Sequence, residues 1–249
     1  MMYSLYVEKR SLLHALDPRV KIIGTLVFGT IGLMIKDPVI SPLIFFLTLL
    51  GFKILGKIDF RTQFKVMKPL IPIFILTFIS WPIIVKPVEK GVLIGIAYTF
   101  RIMGITLIAF GLMMTTKQRE LIRGFTKLGL PYEIGLTVLI ALRYIPTLYS
   151  LAKNIMDAQR SRGLELEKGN FIERSRKMVA IVIPLLVISI KTAHELAIAM
   201  ESRAFGASKK RTHLVDLKMR KSDYIALTVI VIVALLYLGI KFSLLPHLL

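Results

Sequence analysis

Long apolar runs separated by short charged stretches organise this chain. The first, VKIIGTLVFGTIGLMI at 20–35, and the second, at 38–56, flank Lys36-Asp37-Pro38, which predicts a tight hairpin tip. A third, at 69–85, carries Pro69, Pro72 and Pro82, and a fourth runs from about Gly91 to Thr116 with Arg101 inside it. The cleanest is YIALTVIVIVALLYLGI at 224–240. A helix needs ~20 residues to cross a hydrocarbon layer of ~30 Å, and these runs meet or approach that length. They are continuous rather than alternating, which excludes a transmembrane β-barrel. The fold class is therefore all-α: a polytopic helical membrane protein with about five transmembrane helices.

Two further apolar segments, 131–151 and 178–200, have a different pattern. In the first, Leu148, Ala152, Ile155, Gln159 and Arg162 follow at four- and three-residue steps and so share one helical face. In the second, Ile181, Leu185, Ile188, Thr192, Leu196, Ala199 and Arg203 do the same. Ile145-Pro146 and Ile183-Pro184 interrupt the two helices and predict a bend in each. Ionisable residues also intrude: Arg143 in the first, and Lys191, His194 and Glu195 in the second. Each such group at mid-bilayer costs ~2.5–3.5 kcal/mol on insertion scales.

Charge placement bears on those two segments. With the N-terminus inside, Lys36, Lys86 and Lys90 fall outside. Lys53, Lys57, Arg61, Lys65 and Lys68 fall inside, as do Lys117, Arg119, Arg123 and Lys127. Were 131–151 to cross, Lys153, Arg160, Arg162, Lys168, Arg174, Arg176 and Lys177 would be exported, against the positive-inside bias. The expected organisation is thus 1–116 as N-terminal transmembrane helices, 117–223 as a cytoplasmic region of amphipathic helices, and 224–249 as a last span with a short tail. The N-terminus is cytoplasmic and the C-terminus external.

Composition agrees. The chain is 55% hydrophobic, above the ~45–50% usual for soluble domains. Lys and Arg number 34 against 15 acids, a net +19. On a soluble protein that excess would suggest nucleic acid; on a membrane protein it marks cytoplasmic loops, and no nucleic-acid partner is expected. With no cysteine there is no disulfide, thiolate metal site or cysteine nucleophile. MMYSLYVEKRSLLHALDPRVK lacks the apolar core and cleavage site of a signal peptide.

Catalytic patterns are nearly absent. HELAI at 194–198 opens like H-E-x-x-H but has Ile198 where the second ligand belongs, so His194 and Glu195 are expected to be a solvated or packing pair. His14, His213 and His247 have no metal-like spacing, and no G-x-x-x-x-G-K-[ST] phosphate loop occurs. Neither a metal nor a cofactor is expected. Gly95, Gly104 and Gly111 are expected to let helices approach closely. Arg101 could mark a transport path, but snorkelling to the interface is the favoured reading. Asp17 and Pro18 form a helix start, with Asp17 as N-cap.

The remaining feature is duplicated. MDAQRSRG ends one amphipathic run on Ser161-Arg162-Gly163, and AMESRAFG ends the other on Ser202-Arg203-Ala204. One such ending is an ordinary helix stop with a cation at the negative end of the dipole. Two, on matching helices in one basic block, suggest two similar docking sites. A small residue after each arginine would let the helix end enter a groove, and guanidinium suits carboxylate pairing there.

With LDPRVK before the first span, LRYIPTL…MDAQRSRG and IPLLVISI…ELAIAMESRAFG, the chain resembles the transmembrane T component of energy-coupling factor (ECF) transporters, the EcfT/CbiQ family. The likeness spans nearly the whole chain. It implies a non-catalytic subunit of an ABC-type importer in the cell membrane, coupling ATP hydrolysis by two cytoplasmic ATPases to uptake of a vitamin or transition-metal ion. A separate S component would capture the substrate and would lean on apolar faces of the same cytoplasmic helices. Carried over by position, Arg162 and Arg203 are the central ATPase-docking residues, flanked by Ser161 and Gly163 and by Ser202 and Ala204. The family commonly has alanine where Ser161 and Ser202 stand, which makes these flanks more polar than its pattern. The rival reading is a membrane-bound enzyme or secondary transporter whose basic block binds membrane lipid. It predicts neither the paired arginine ends nor the lack of a catalytic cluster.

Overall fold

The computed structural model describes residues 6–9, 11–35, 37–165, 167–207 and 219–244, with side chains to 239. Lys36, His213, His247 and the last residues of the tail, 245–249, lie outside the described residues. Ten α-helices make up the described chain: α1 (Leu12–Ala15), α2 (Pro18–Met34), α3 (Ile40–Ile54), α4 (Phe60–Met67), α5 (Ile71–Ile84), α6 (Val88–Thr115), α7 (Gln118–Lys127), α8 (Tyr132–Ser161), α9 (Phe171–Glu201) and α10 (Lys221–Leu244). A single 3-10 turn, Lys68–Leu70, links α4 to α5, and no strand occurs among the described residues. The chain forms two compact units. One holds α1–α7, the start of α8 and α10; the other holds α8 from Leu136 and α9.

In the first unit α6 is the central helix, with α2, α3 and α5 packed on it, while α7 and α10 pack on α2. Phe45 and Leu49 of α3, Met67 of α4, Phe74 of α5 and Leu107 of α6 meet in one buried cluster, with Phe52 and Phe100 against its edge. Truncating the 1%-exposed Leu107 to alanine would open a cavity costing roughly 2–5 kcal/mol. The glycines of α6 act as expected at two of three positions. A Cβ on Gly95 would stand 3.1 Å from the Phe78 carbonyl, and one on Gly111 would strike the Phe52 ring. Gly104 has open space, so close approach does not account for it.

Arg101 donates to the Leu33 carbonyl, an acceptor in the last turn of α2, and lies over the Tyr98 ring at 5.3 Å. Tyr98 in turn stacks on Trp81 at 4.5 Å. The charge is thereby tied to a helix end and an aromatic pair.

At the other end of α2, the expected N-cap is present: Asp17 Oδ1 accepts from the Arg19 N–H at 2.9 Å, and Pro18 occupies the first turn. A larger polar junction surrounds it. Asp223, 1% exposed and in the first turn of α10, accepts from the Asp17 N–H at 2.8 Å and from the Arg220 N–H at 2.7 Å. Lys21 Nζ donates to the carbonyls of His14 (3.1 Å) and Thr115 (2.9 Å), satisfying acceptors at the ends of α1 and α6. One buried knot thus fastens four helix ends.

The five expected spans correspond to α2, α3, α5, α6 and α10. The short amphipathic helix α4 was not expected, while α7 falls in the stretch expected to hold amphipathic helices. By length and composition, five stretches suffice to cross a membrane: Phe60–Ile84, Val88–Thr115, Tyr132–Ser161, Phe171–Glu201 and Lys221–Gly239. The number agrees with the expectation, but the membership differs. At 17 and 15 residues, α2 and α3 rise only about 25 and 22 Å. The helices α8 and α9 qualify through their apolar segments, and each also extends beyond its segment into charged sequence. Neither Pro146 nor Pro184 breaks its helix.

Candidate functional site

Both arginine ends belong to the second unit, and both are built the same way. At the end of α8, the Arg162 N–H donates to the Gln159 carbonyl at 3.1 Å. The Gly163 N–H donates to Arg160 at 2.9 Å and the Leu164 N–H to Gln159 at 3.0 Å. At the end of α9, the Arg203 N–H donates to Met200 at 3.2 Å, the Ala204 N–H to Glu201 at 2.8 Å and the Phe205 N–H to Met200 at 3.0 Å. This is one Schellman closure made twice, in which the residue after the cap must turn left-handed. Gly163 has φ +87° and Ala204 φ +59°.

The small residues therefore have a local reason to be small. Left-handed backbone crowds a Cβ against the following carbonyl, so glycine is best there and bulky side chains are worst. The sequence pattern suggested only that a small residue would let the helix end enter a groove. Gly206 is also left-handed, at φ +96°, but lies past the closure that Ala204 makes.

The serines turn inward on their own helices. Ser161 Oγ donates to the Asp157 carbonyl at 3.1 Å and Ser202 Oγ to the Ala199 carbonyl at 3.0 Å. The arginines do the opposite. Both side chains are exposed, and neither guanidinium makes a hydrogen bond or ion pair with another described residue. Beside Arg162, the loop charges pair among themselves, Arg160 with Glu167 at 3.2 Å and Lys168 with Glu165 at 2.8 Å. Each helix end therefore presents one unneutralised fork where the helix dipole already favours a cation.

The two ends are not brought together. Gln159 Nε2 donates to the Ala180 carbonyl at 3.4 Å, which holds the end of α8 beside the first third of α9. Ala180 lies 23 residues (203 − 180) before Arg203. At about 1.5 Å per residue the two arginines stand roughly 35 Å apart along α9. They are two separate helix ends. The bridging role of Gln159 was missed in the sequence; the only hint was its place on the half-buried stripe with Leu148, Ala152 and Ile155. Elsewhere α8 and α9 are barely covered, with 6% of the most apolar window of each buried within the chain. Tyr149 on α8 and Ile183, Val187 and Ile190 on α9 are all more than half exposed. His194 and Glu195 lie exposed on α9.

The two longest helices of this helical, membrane-type chain thus end on duplicated, outward-facing arginines. The match to the family of cobalt transport protein CbiQ covers residues 9–214, and the chain belongs to that family, the transmembrane components of ECF transporters. Among its relatives is "Energy-coupling factor transporter transmembrane protein EcfT" of Bacillus subtilis (strain 168), 33% identical over 95% of this chain and 97% of the relative. The protein of the same description from Acidaminococcus fermentans is 32% identical over 94% and 93%. That of Thermotoga maritima is 31% identical over 93% and 92%.

Proposed function

We propose that this energy-coupling component of an ECF transporter is docked by two cytoplasmic ATPase subunits, one at Arg162 and one at Arg203. The supporting observation is the repeated closure: two helix ends of the same hydrogen-bonding pattern, each offering an exposed guanidinium with no partner among the described residues. Two similar ATPases need two similar handholds, and a spacing of roughly 35 Å lets both bind at once. The long helices α8 and α9 then carry motion from the ATPases to the membrane. Their uncovered apolar faces receive a substrate-capturing S component, and the cargo is a vitamin or a transition-metal ion. The chain itself hydrolyses no ATP. Family membership favours this reading over a membrane-bound enzyme or a secondary transporter.

The proposed topology keeps residues 117–223 in the cytoplasm, with the N-terminus inside and the C-terminus outside. Length alone would let α8 and α9 cross. Electrostatics opposes it, since crossing would export the basic loop between them and bury Arg143 and Lys191.

Pull-down of the ATPase subunits, with substrate uptake measured alongside, tests the docking. An arginine removed from a buried pair leaves its partner carboxylate unpaired, a loss of ~3–5 kcal/mol, or two to three orders of magnitude in affinity. Arg162→Ala and Arg203→Ala should each lose one ATPase contact and impair uptake. The double variant should lose both ATPases while remaining folded in the membrane. Full ATPase recovery and normal uptake by the double variant would refute it.

A further inference from the structure

The two arginine ends leave a third group of cations unused. Between residues 53 and 68 the chain carries Lys53, Lys57, Arg61, Lys65 and Lys68 against a single acid, Asp59. That acid is neutralised within the fold, because Lys9 Nζ lies 2.7 Å from its Oδ2. Lys53 is drawn over the Phe60 ring at 4.2 Å. Arg61, Lys65 and Lys68 are exposed, and none of their side chains makes a hydrogen bond or ion pair with another described residue.

Helix α4 decides where these charges point. Gln63 and Met67, 1% and 3% exposed, fix its inner face. Gln63 Nε2 donates to the Ile58 carbonyl at 2.9 Å and reaches the Leu49 carbonyl of α3 at 3.3 Å. The outer face follows by spacing: Arg61, Phe64, Lys65 and Lys68 stand at i, i+3, i+4 and i+7. Phe64 is 53% exposed in the middle of the three cations. On either side the surface is apolar, with Ile54 69% exposed at the end of α3 and Ile71 46% exposed at the start of α5.

We infer that the outer face of α4 is a binding site for anionic phospholipid headgroups of the cytoplasmic leaflet, with Arg61, Lys65 and Lys68 on the phosphate and Phe64 at the level of the upper acyl chain. A patch of free cations calls for an anion. The apolar margin continuous with α3 and α5 selects a lipid, since an acidic protein surface would leave Ile54, Phe64 and Ile71 against polar groups. Sidedness rests on the topology proposed above; the headgroup preference itself does not.

The full-length protein, purified in mild detergent and offered equal phosphatidylglycerol and phosphatidylcholine, is examined by native mass spectrometry for retained lipid. Wild-type protein should retain phosphatidylglycerol preferentially. Each cation near an anionic surface contributes about five-fold, so Arg61→Gln/Lys65→Gln/Lys68→Gln should lower that preference on the order of a hundred-fold. A charge-matched control, Arg119→Gln/Arg123→Gln/Arg176→Gln, should keep it. Phe64→Ala should weaken retention of both lipids and leave the preference standing. Equal loss in both triple variants, or in neither, overturns the site. So does displacement of the lipid by inorganic phosphate at matched concentration, which would make the ligand a free anion. Loss of copurifying ATPase with unchanged lipid retention would instead make the patch a protein interface. A cysteine replacing Lys57 that is labelled from outside intact cells would overturn the sidedness alone, because lipid retention is read without reference to it.

Discussion

Replacing Asp223 should loosen the whole first unit, although the residue sits in the first turn of the last helix and touches no proposed partner. Its carboxylate is 1% exposed and takes two backbone N–H donors, from Asp17 at 2.8 Å and Arg220 at 2.7 Å. Asp223→Ala removes both acceptors at once. A buried donor left without a partner costs ~1–3 kcal/mol, and the Arg220 donor is only partly buried, so the expected loss is roughly 2–4 kcal/mol. Asp223→Asn keeps one carbonyl oxygen but turns an NH2 group toward the second donor, and should lose about half as much. For a chain of this size, 1 kcal/mol shifts Tm by ~2–4 °C. The alanine variant should therefore melt about 5–12 °C lower in detergent and the asparagine variant about half as far. Thermal unfolding followed by helical circular dichroism measures this directly. Hydrogen exchange should localise the change to the amides of Asp17 and Arg220. If Asp223→Ala melts within 1 °C of wild type, or if the two variants rank in the opposite order, the polar knot does not hold these helix ends together.

The duplicated helix closures yield a reciprocal pair. Gly163→Ala should destabilise its helix end by about 1 kcal/mol while Ala204→Gly relieves a similar left-handed strain, seen as faster exchange of the Leu164 amide and slower exchange of the Phe205 amide. Ser161→Ala and Ser202→Ala should leave ATPase recovery within a few-fold of wild type, because both hydroxyls are bonded to their own helices; a loss as large as that of the arginine variants would show that the serines reach the partner. His14 is held below its ordinary pKa chiefly by burial, so the folded state binds protons less readily than the unfolded one. Stability should fall as pH drops below the unfolded value of ~6.5, and His14→Gln should flatten that slope in melting curves taken from pH 7.5 to 5.

Much of this molecule is legible in its order of residues, for a physical reason that differs from part to part. The spans are visible because a membrane-facing helix must be apolar all round for most of its length, so a continuous run carries the information without any knowledge of neighbours. The helix start at Asp17-Pro18 and the stop at Gly163 are visible because caps are local, closed within three or four residues. What escapes is whatever depends on a distant partner. Asp223 reads as an ordinary first-turn acid until α10 is laid against α2, 206 positions away in sequence. Helix α4 was missed because its signal is one turn of apolar residues followed by Lys-Pro, which resembles a loop when the packed face is unknown.

The arginine ends fall between these cases. Their repetition was visible, and so was their resemblance to a docking motif, but the part that the residues around them play within their own helices was not. Left-handed geometry explains Gly163 and Ala204 from inside the chain, and inward hydroxyls explain how Ser161 and Ser202 can stand where the family commonly has alanine. Once those four residues are accounted for by their own helices, only the two guanidinium groups are left without a partner in the described chain. That is the form a docking site takes when the helix end is a rigid mount and the side chain is the contact. It also confines the proposed interface to a single group at each end. A lysine there would keep the charge and the mount but not the planar fork. Arg162→Lys and Arg203→Lys should therefore recover ATPase binding only in part, and full recovery would mean that charge alone, rather than the guanidinium, joins the subunits.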